Sequence, residues 1–188
     1  MVDYKTLDAL AIKCGFTKSA PLQISTLEFM QEIRDMCSAD RCGNYGKSWS
    51  CPPACPPLDE MRDLICGYSN GLLVQTIGEL EDTFDWDNIF NTEAKHKINF
   101  NRLRDELLGF PGYEILALGS GACSVCGVCA YPGEPCRFPE KIELSMEACG
   151  MFVSKICADN NLGYNYGHNK TAFTACYFFN EGIKGNSK

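Results

Sequence analysis

The sequence predicts an α/β or α+β fold, with a small central mixed sheet of about four strands, flanking helices and two cysteine-rich cluster loops. Three observations point there. Segments with apolar residues at helical spacing alternate along the chain with short β-branched or aromatic runs. Thirteen cysteines occur in 188 residues, and most of them fall in two loop-like groups. The hydrophobic share of 45% and charged share of 22% are those of a globular chain able to bury a core without disulfide staples.

The elements follow in order. Asp3 caps a first helix with Tyr4, Leu7, Leu10, Ala11 and Cys14 on one face, stopped by Gly15. Ser25-Thr26-Leu27-Glu28 reads as a capping box opening a second helix, with Phe29, Ile33 and Met36 inward. That helix delivers the chain to a loop rich in Cys, Gly and Pro from Cys37 to Pro57. A short helix then carries Leu58, Met61, Leu64, Ile65 and Tyr68. Leu72 to Ile77 reads as a buried strand, and Trp86 to Leu108 as an amphipathic helix using Phe90, Ala94, Ile98, Leu103 and Leu107. Tyr113 to Leu118 is a further strand, so this stretch predicts a right-handed parallel crossover. It runs through Gly119-Ser120-Gly121 into the second cysteine loop, Cys123 to Cys136. Ser145 caps a helix with Met146, Cys149, Val153, Ile156 and Cys157 on one stripe, and Thr171 to Phe179 makes the last strand. The organisation is one domain over residues 1–180 with a polar tail at 181–188.

Charge and hydropathy exclude several classes. With a formal charge of −7 and no long basic run, the chain lacks the phosphate-neutralising groups that bind nucleic acid. No apolar run approaches the ~20 residues that span a bilayer. The first residues have neither the basic nor the apolar region of a signal peptide, so a cytoplasmic location is expected. In a reducing cytosol the thiols stay free, and their odd number does not suit a closed disulfide framework. A P-loop, a G-x-S-x-G elbow and H-E-x-x-H are all lacking, and Gly119-x-Gly121 enters the cysteine loop instead of a helix, which discards nucleotide binding.

The second group, Cys123-x2-Cys126-x2-Cys129-x6-Cys136, is the most informative. Three cysteines separated by two residues each wrap one face of a cubane, and a fourth completes the thiolate set, as in the opening of bacterial ferredoxin runs. Ser124, Gly127 and Ala130 are small, so backbone N–H groups can reach the sulfurs. Structural zinc uses separated C-x2–4-C pairs and fits this loop poorly. Pro135 precedes Cys136 where ferredoxins place proline after the fourth cysteine, so this is not a standard two-cluster ferredoxin. The first group, Cys37-x4-Cys42-x8-Cys51-x3-Cys55, lies among stiffening prolines. Its spacing suits a 4Fe–4S cluster, with zinc as the alternative there, and Cys66 competes with Cys55 as fourth ligand. Trp49 and Tyr45 shield this cluster, with cofactor or partner docking as the alternative role. Cys14, Cys149, Cys157 and Cys176 read as small apolar packing groups, and His96 and His168 as solvated surface residues.

Cys37…Cys42-Gly43-Asn44-Tyr45-Gly46…Trp49-Ser50-Cys51-Pro52-Pro53-Ala54, together with Cys123-x2-Cys126-x2-Cys129…Pro135-Cys136-Arg137-Phe138-Pro139-Glu140 and Ser145-Met146-Glu147-Ala148-Cys149-Gly150, resembles a family of small prokaryotic proteins. That family is the predicted metal-binding type called domain of unknown function 2284. The resemblance covers most of the chain and implies a metal or iron–sulfur protein, often of anaerobes, without supplying a reaction. It draws attention to Arg137 and Glu140 beside the second cluster, Arg137 as a cation that raises the potential of a thiolate site, with a surface ion pair as the alternative.

The function expected is one-electron transfer by two 4Fe–4S clusters, held by Cys37, Cys42, Cys51 and Cys55 and by Cys123, Cys126, Cys129 and Cys136, to a redox protein partner or a small-molecule substrate. Trp49 and Arg137 are the expected cofactor-contacting groups. Two alternatives stand: an iron–sulfur reductase or activating enzyme with an open iron site or a bound flavin, and a zinc-stabilised binding module.

Overall fold

Asp3 does cap the first helix, α1 (Tyr4–Lys13), by accepting the Lys5 amide at 3.1 Å. The computed structural model describes residues 3–110 and 112–181, so most of the expected polar tail lies outside the described residues. α1 is followed by β1 (Lys18–Leu22), a strand not foreseen because Pro21 interrupts it. Proline lacks the donor that an inner strand requires, and β1 is an edge strand.

The capping-box expectation fails. Residues Ile24–Thr26 form one 3-10 turn, and the helix that follows, α2, spans only Gln31–Asp35. Between them the chain is held extended by an isolated bridge of Phe29 to Met151 and by the Met30 amide, which donates to Gly150 O at 2.8 Å. These long-range bonds outweigh the local preference, and Met36 ends 68% exposed instead of inward. A further 3-10 turn, Met36–Ala39, contains Cys37.

α3 (Leu58–Cys66) buries Met61 and Ile65, while Leu64 is exposed. β2 (Asn70–Glu79) and α4 (Trp86–Leu108) follow, then β3 (Tyr113–Gly119), the two-residue β4 (Leu144–Ser145), α5 (Val153–Asp159) and β5 (Lys170–Glu181). One mixed sheet of five strands runs in the order β1-β2-β5-β3-β4. β2 and β3 both pair antiparallel with β5 and so run parallel to each other, as the strand–helix–strand pattern implies. β5 lies between them, so they share no ladder.

The sheet is buried on both faces. Leu73, Leu118, Cys176 and Phe178 pack with Met61 and Ile65 of α3 and Ile156 and Cys157 of α5. Leu72, Val74, Ala175, Tyr177 and Phe179 pack with Ala11 of α1 and Phe100, Leu103 and Leu107 of α4. The result is helices, sheet and helices in three layers.

The first half of α4 turns a different face inward from the one its apolar residues predict, while Leu103 and Leu107 are buried as expected. Phe90 and Ile98 are 61% and 58% exposed, whereas Thr92, His96 and Asn99 are buried. Gly78 on β2 has no side chain to fend off Thr92, so the helix approaches closely and its polar groups find partners on β2 and in the turn after α1. His96 Nδ1 lies 3.0 Å from Thr76 Oγ1 and Asn99 Nδ2 donates to Gly15 O at 2.8 Å. His96 is thus a core residue at 1% exposure, not a solvated one; His168 is exposed as expected.

The helix expected from Ser145 starts only at Val153. Ser145 Oγ does accept the Ala148 amide at 3.0 Å, but it caps a turn that Gly150 ends at φ +72°. A Cβ at Gly150 would lie 2.5 Å from Leu58 Cδ1 and 2.9 Å from Met30 O, so this crossing point tolerates no side chain.

Candidate metal centre

β3 delivers the chain to the second cysteine loop, and β4 returns beside it: Leu144 pairs with Leu118 and Ser145 with Gly119 in parallel. That return places Glu143 beneath the start of the loop. Glu143 is 5% exposed, and its Oε2 accepts both the amide and the hydroxyl of Ser124, at 3.0 and 3.1 Å. Among the described residues its Oε1 has no hydrogen-bond partner, and it lies 3.8 Å from an Arg104 nitrogen. The sequence reading passed over Glu143; a lone carboxylate between Ile142 and Leu144 was the signal that could have found it.

Cys123, Cys126, Cys129 and Cys136 together line one partly open cavity of about 160 Å³, with Trp49, Ser50 and Phe138 also in its lining. The loop is tied across its mouth by Arg137, whose guanidinium donates to Val128 O at 3.0 Å. Arg137 is exposed and stands outside the cavity lining. Burial raises the Cys123 thiol pKa, and the backbone amides of Val125 and Glu143 against its sulfur work the other way.

The first group sits beside the second. Trp49 Nε1 donates to Glu134 O at 3.0 Å, its ring meets Tyr131 edge-on at 4.9 Å, and Ser50 Oγ accepts the Cys123 amide at 3.2 Å. Trp49 therefore touches the second group's cavity rather than shielding the first group alone. Within the first loop, Cys51 O accepts the amides of Ala54 and Cys55 at 3.0 and 3.1 Å, and Gly46 N donates to Pro52 O at 2.9 Å.

Cys42, Cys51 and Cys55 lie within electrostatic reach of Cys37. The Cys37 thiol pKa is raised first by burial, then by the charges of Glu147, Cys42, Cys51 and Cys55 around it. Cys55 is 4% exposed and also raised by burial, with the neighbouring Arg34 guanidinium pulling it back down. Cys66 lies exposed on α3, outside the set of thiols that raise Cys37. Arg34 is a second residue that the sequence reading missed. Nothing local marks an arginine on a short helix for burial, and it acquires that role only because Cys55 and Pro56 fold back over it.

Cys14, Cys149, Cys157 and Cys176 are buried as expected of packing groups. Burial pushes Cys149 up to about 12 and Cys157 up to about 11, so both remain thiols. All thirteen cysteines are free.

Among the described residues, no three His, Cys, Asp or Glu side chains converge closely enough for one metal ion. The donors that do surround a shared space are thiols, whose softness selects iron–sulfur clusters, zinc or copper(I). No helix among the described residues is long and apolar enough to cross a membrane. No match was found among curated proteins or among solved structures. A family model described as a predicted metal-binding protein, DUF2284, matches residues 20–179, a span that contains both cysteine groups. The chain belongs to this family of predicted metal-binding proteins.

Proposed function

We propose that the protein holds two 4Fe–4S clusters, one on each cysteine group, and passes single electrons to a redox partner or a bound substrate. The observation that carries this reading is the cavity of about 160 Å³ ringed by Cys123, Cys126, Cys129 and Cys136. A single water already fits in ~10–15 Å³ of such volume, so the space among these thiols exceeds what one ion needs and suits a polynuclear centre. A cluster bound there supplies reversible one-electron oxidation and reduction.

The protein's own residues do the rest. The four thiolates grip the irons, the backbone at Val125 and Glu143 favours the Cys123 thiolate, and Trp49, Ser50 and Phe138 line the space around them. At the first group Arg34 offsets the negative charge gathered by Cys37, Cys42, Cys51 and Cys55. Free thiols in this number suit a reducing, cytoplasmic setting and an anaerobic host.

The test is anaerobic purification and reconstitution, followed by iron and acid-labile sulfide assays and EPR of the reduced protein. About eight iron and eight sulfide per chain are expected for two cubanes. Zinc in both groups, with no sulfide, sinks the reading in favour of a zinc-stabilised binding module.

A further inference from the structure

Ser50 stands at the seam between the two cysteine groups. It is 2% exposed, and three polar atoms surround its hydroxyl: Ser48 Oγ at 3.0 Å, Cys123 N at 3.2 Å and Cys51 Sγ at 3.8 Å. Ser48 is itself buried. A hydroxyl offers one proton and two lone pairs, and three partners use its full capacity.

The direction of the chain follows from what each partner can do. The Cys123 amide only donates. A metal-bound Cys51 thiolate only accepts. Ser50 must therefore donate its proton to the Cys51 sulfur and accept from both Ser48 and the Cys123 amide. One side chain then contacts a ligand sulfur of the first group and the backbone of the first ligand of the second.

We propose that Ser50 is a positioning residue that couples the two centres, raising the potential of the first and transmitting its state to the second. This rests on the iron–sulfur reading above. Adding an electron to the first centre increases the negative charge on Cys51, and a hydrogen bond to that sulfur favours the reduced form. As Ser50 donates more strongly, its oxygen becomes the better acceptor for the Cys123 amide, because linked hydrogen bonds polarise one another. That amide belongs to the loop that carries the second set of thiolates, so the two reductions are not independent events.

The experiment is an anaerobic EPR-monitored redox titration of the wild type, Ser50→Ala and Ser48→Ala, with iron and sulfide counted in each. Ser50→Ala is expected to keep its iron and sulfide while one midpoint falls by about 59 mV, a tenfold change in a one-electron equilibrium. The other midpoint falls by less. Ser48→Ala shifts the first midpoint the same way but by a smaller amount, since Ser50 keeps its bond to Cys51. A fully loaded Ser50→Ala with both midpoints unchanged overturns the proposal. If Ser50→Ala does not fold, an unshifted Ser48→Ala overturns it instead. A wild type that binds no iron overturns the iron–sulfur reading itself, and this inference with it.

Discussion

Arg34 donates to the carbonyl oxygen of Cys55 at 3.0 Å, and with its other terminal nitrogen to that of Pro56 at 2.6 Å. The side chain is buried, and among the described residues no carboxylate pairs with it. A cation in such a place is stabilised by what surrounds it, here the carbonyl oxygens of Cys55 and Pro56. The protein thus holds a fixed positive charge against the first cysteine group.

Replacing Arg34 by Met keeps volume and removes that charge. Two buried carbonyls lose their donors, which costs about 3 kcal/mol of stability in the metal-free protein, measured by urea denaturation. Iron retention at the first group falls while the second group keeps its iron. An unchanged denaturation midpoint in Arg34→Met contradicts this account.

The two candidates for the fourth ligand of the first group differ in placement. Cys55 is buried among the group's thiols, whereas Cys66 is exposed on α3. Cys55→Ala is expected to reduce iron and sulfide from about eight to about four per chain, as loss of one cubane requires. Cys66→Ala leaves both counts intact. The reverse pattern would move the ligand to α3.

His96 makes stability depend on pH. Burial, with a smaller contribution from the Lys97 charge, lowers its pKa from 6.5 to about 4. Between those values the unfolded chain binds a proton that the folded protein refuses, so folding becomes less favourable as pH falls. The stabilisation is complete above pH 6.5 and is lost on the way down to 4. At 1.36 kcal/mol per unit this amounts to about 3 kcal/mol. Metal-free wild type and His96→Gln, unfolded in urea at a series of pH values, should diverge in slope over that window. Parallel slopes would refute the assignment.

Gly150 joins the cysteine-bearing turn to the core at a left-handed φ of +72°. Gly150→Ala forces a methyl against Leu58 and Met30 O and places an L-residue in that region. The conformation alone costs about 1–2 kcal/mol. A drop in Tm of at least several degrees is expected, measured by circular dichroism. A Tm equal to wild type would show that the turn relaxes freely.

Much of the fold was legible in local pattern. The Asp3 cap, the β-branched run of β2, the length of α4 and the aromatic strand β5 all came through, because each depends on neighbours a few residues away. The failures share one cause. The capping box at Ser25 lost to the Met30–Gly150 bond, the Ser145 helix was broken where Gly150 meets Leu58, and α4 turned Thr92, His96 and Asn99 inward where Gly78 let it settle. In each case a partner distant in sequence outweighed a preference worth about 1 kcal/mol or less.

Ligand type and ligand spacing are properties of short stretches of chain, and for that reason the two cysteine groups could be read from the sequence alone. Which loops meet is a different matter. The bonds from Trp49 to Glu134 and from Cys123 to Ser50 join residues 85 and 73 positions apart. The burial of Arg34 and Glu143 likewise depends on where Cys55 and Ser124 are returned by the sheet and its flanking turns. Packing over such separations is set by the whole core at once, so only the tertiary structure decided that the two cysteine groups share a wall.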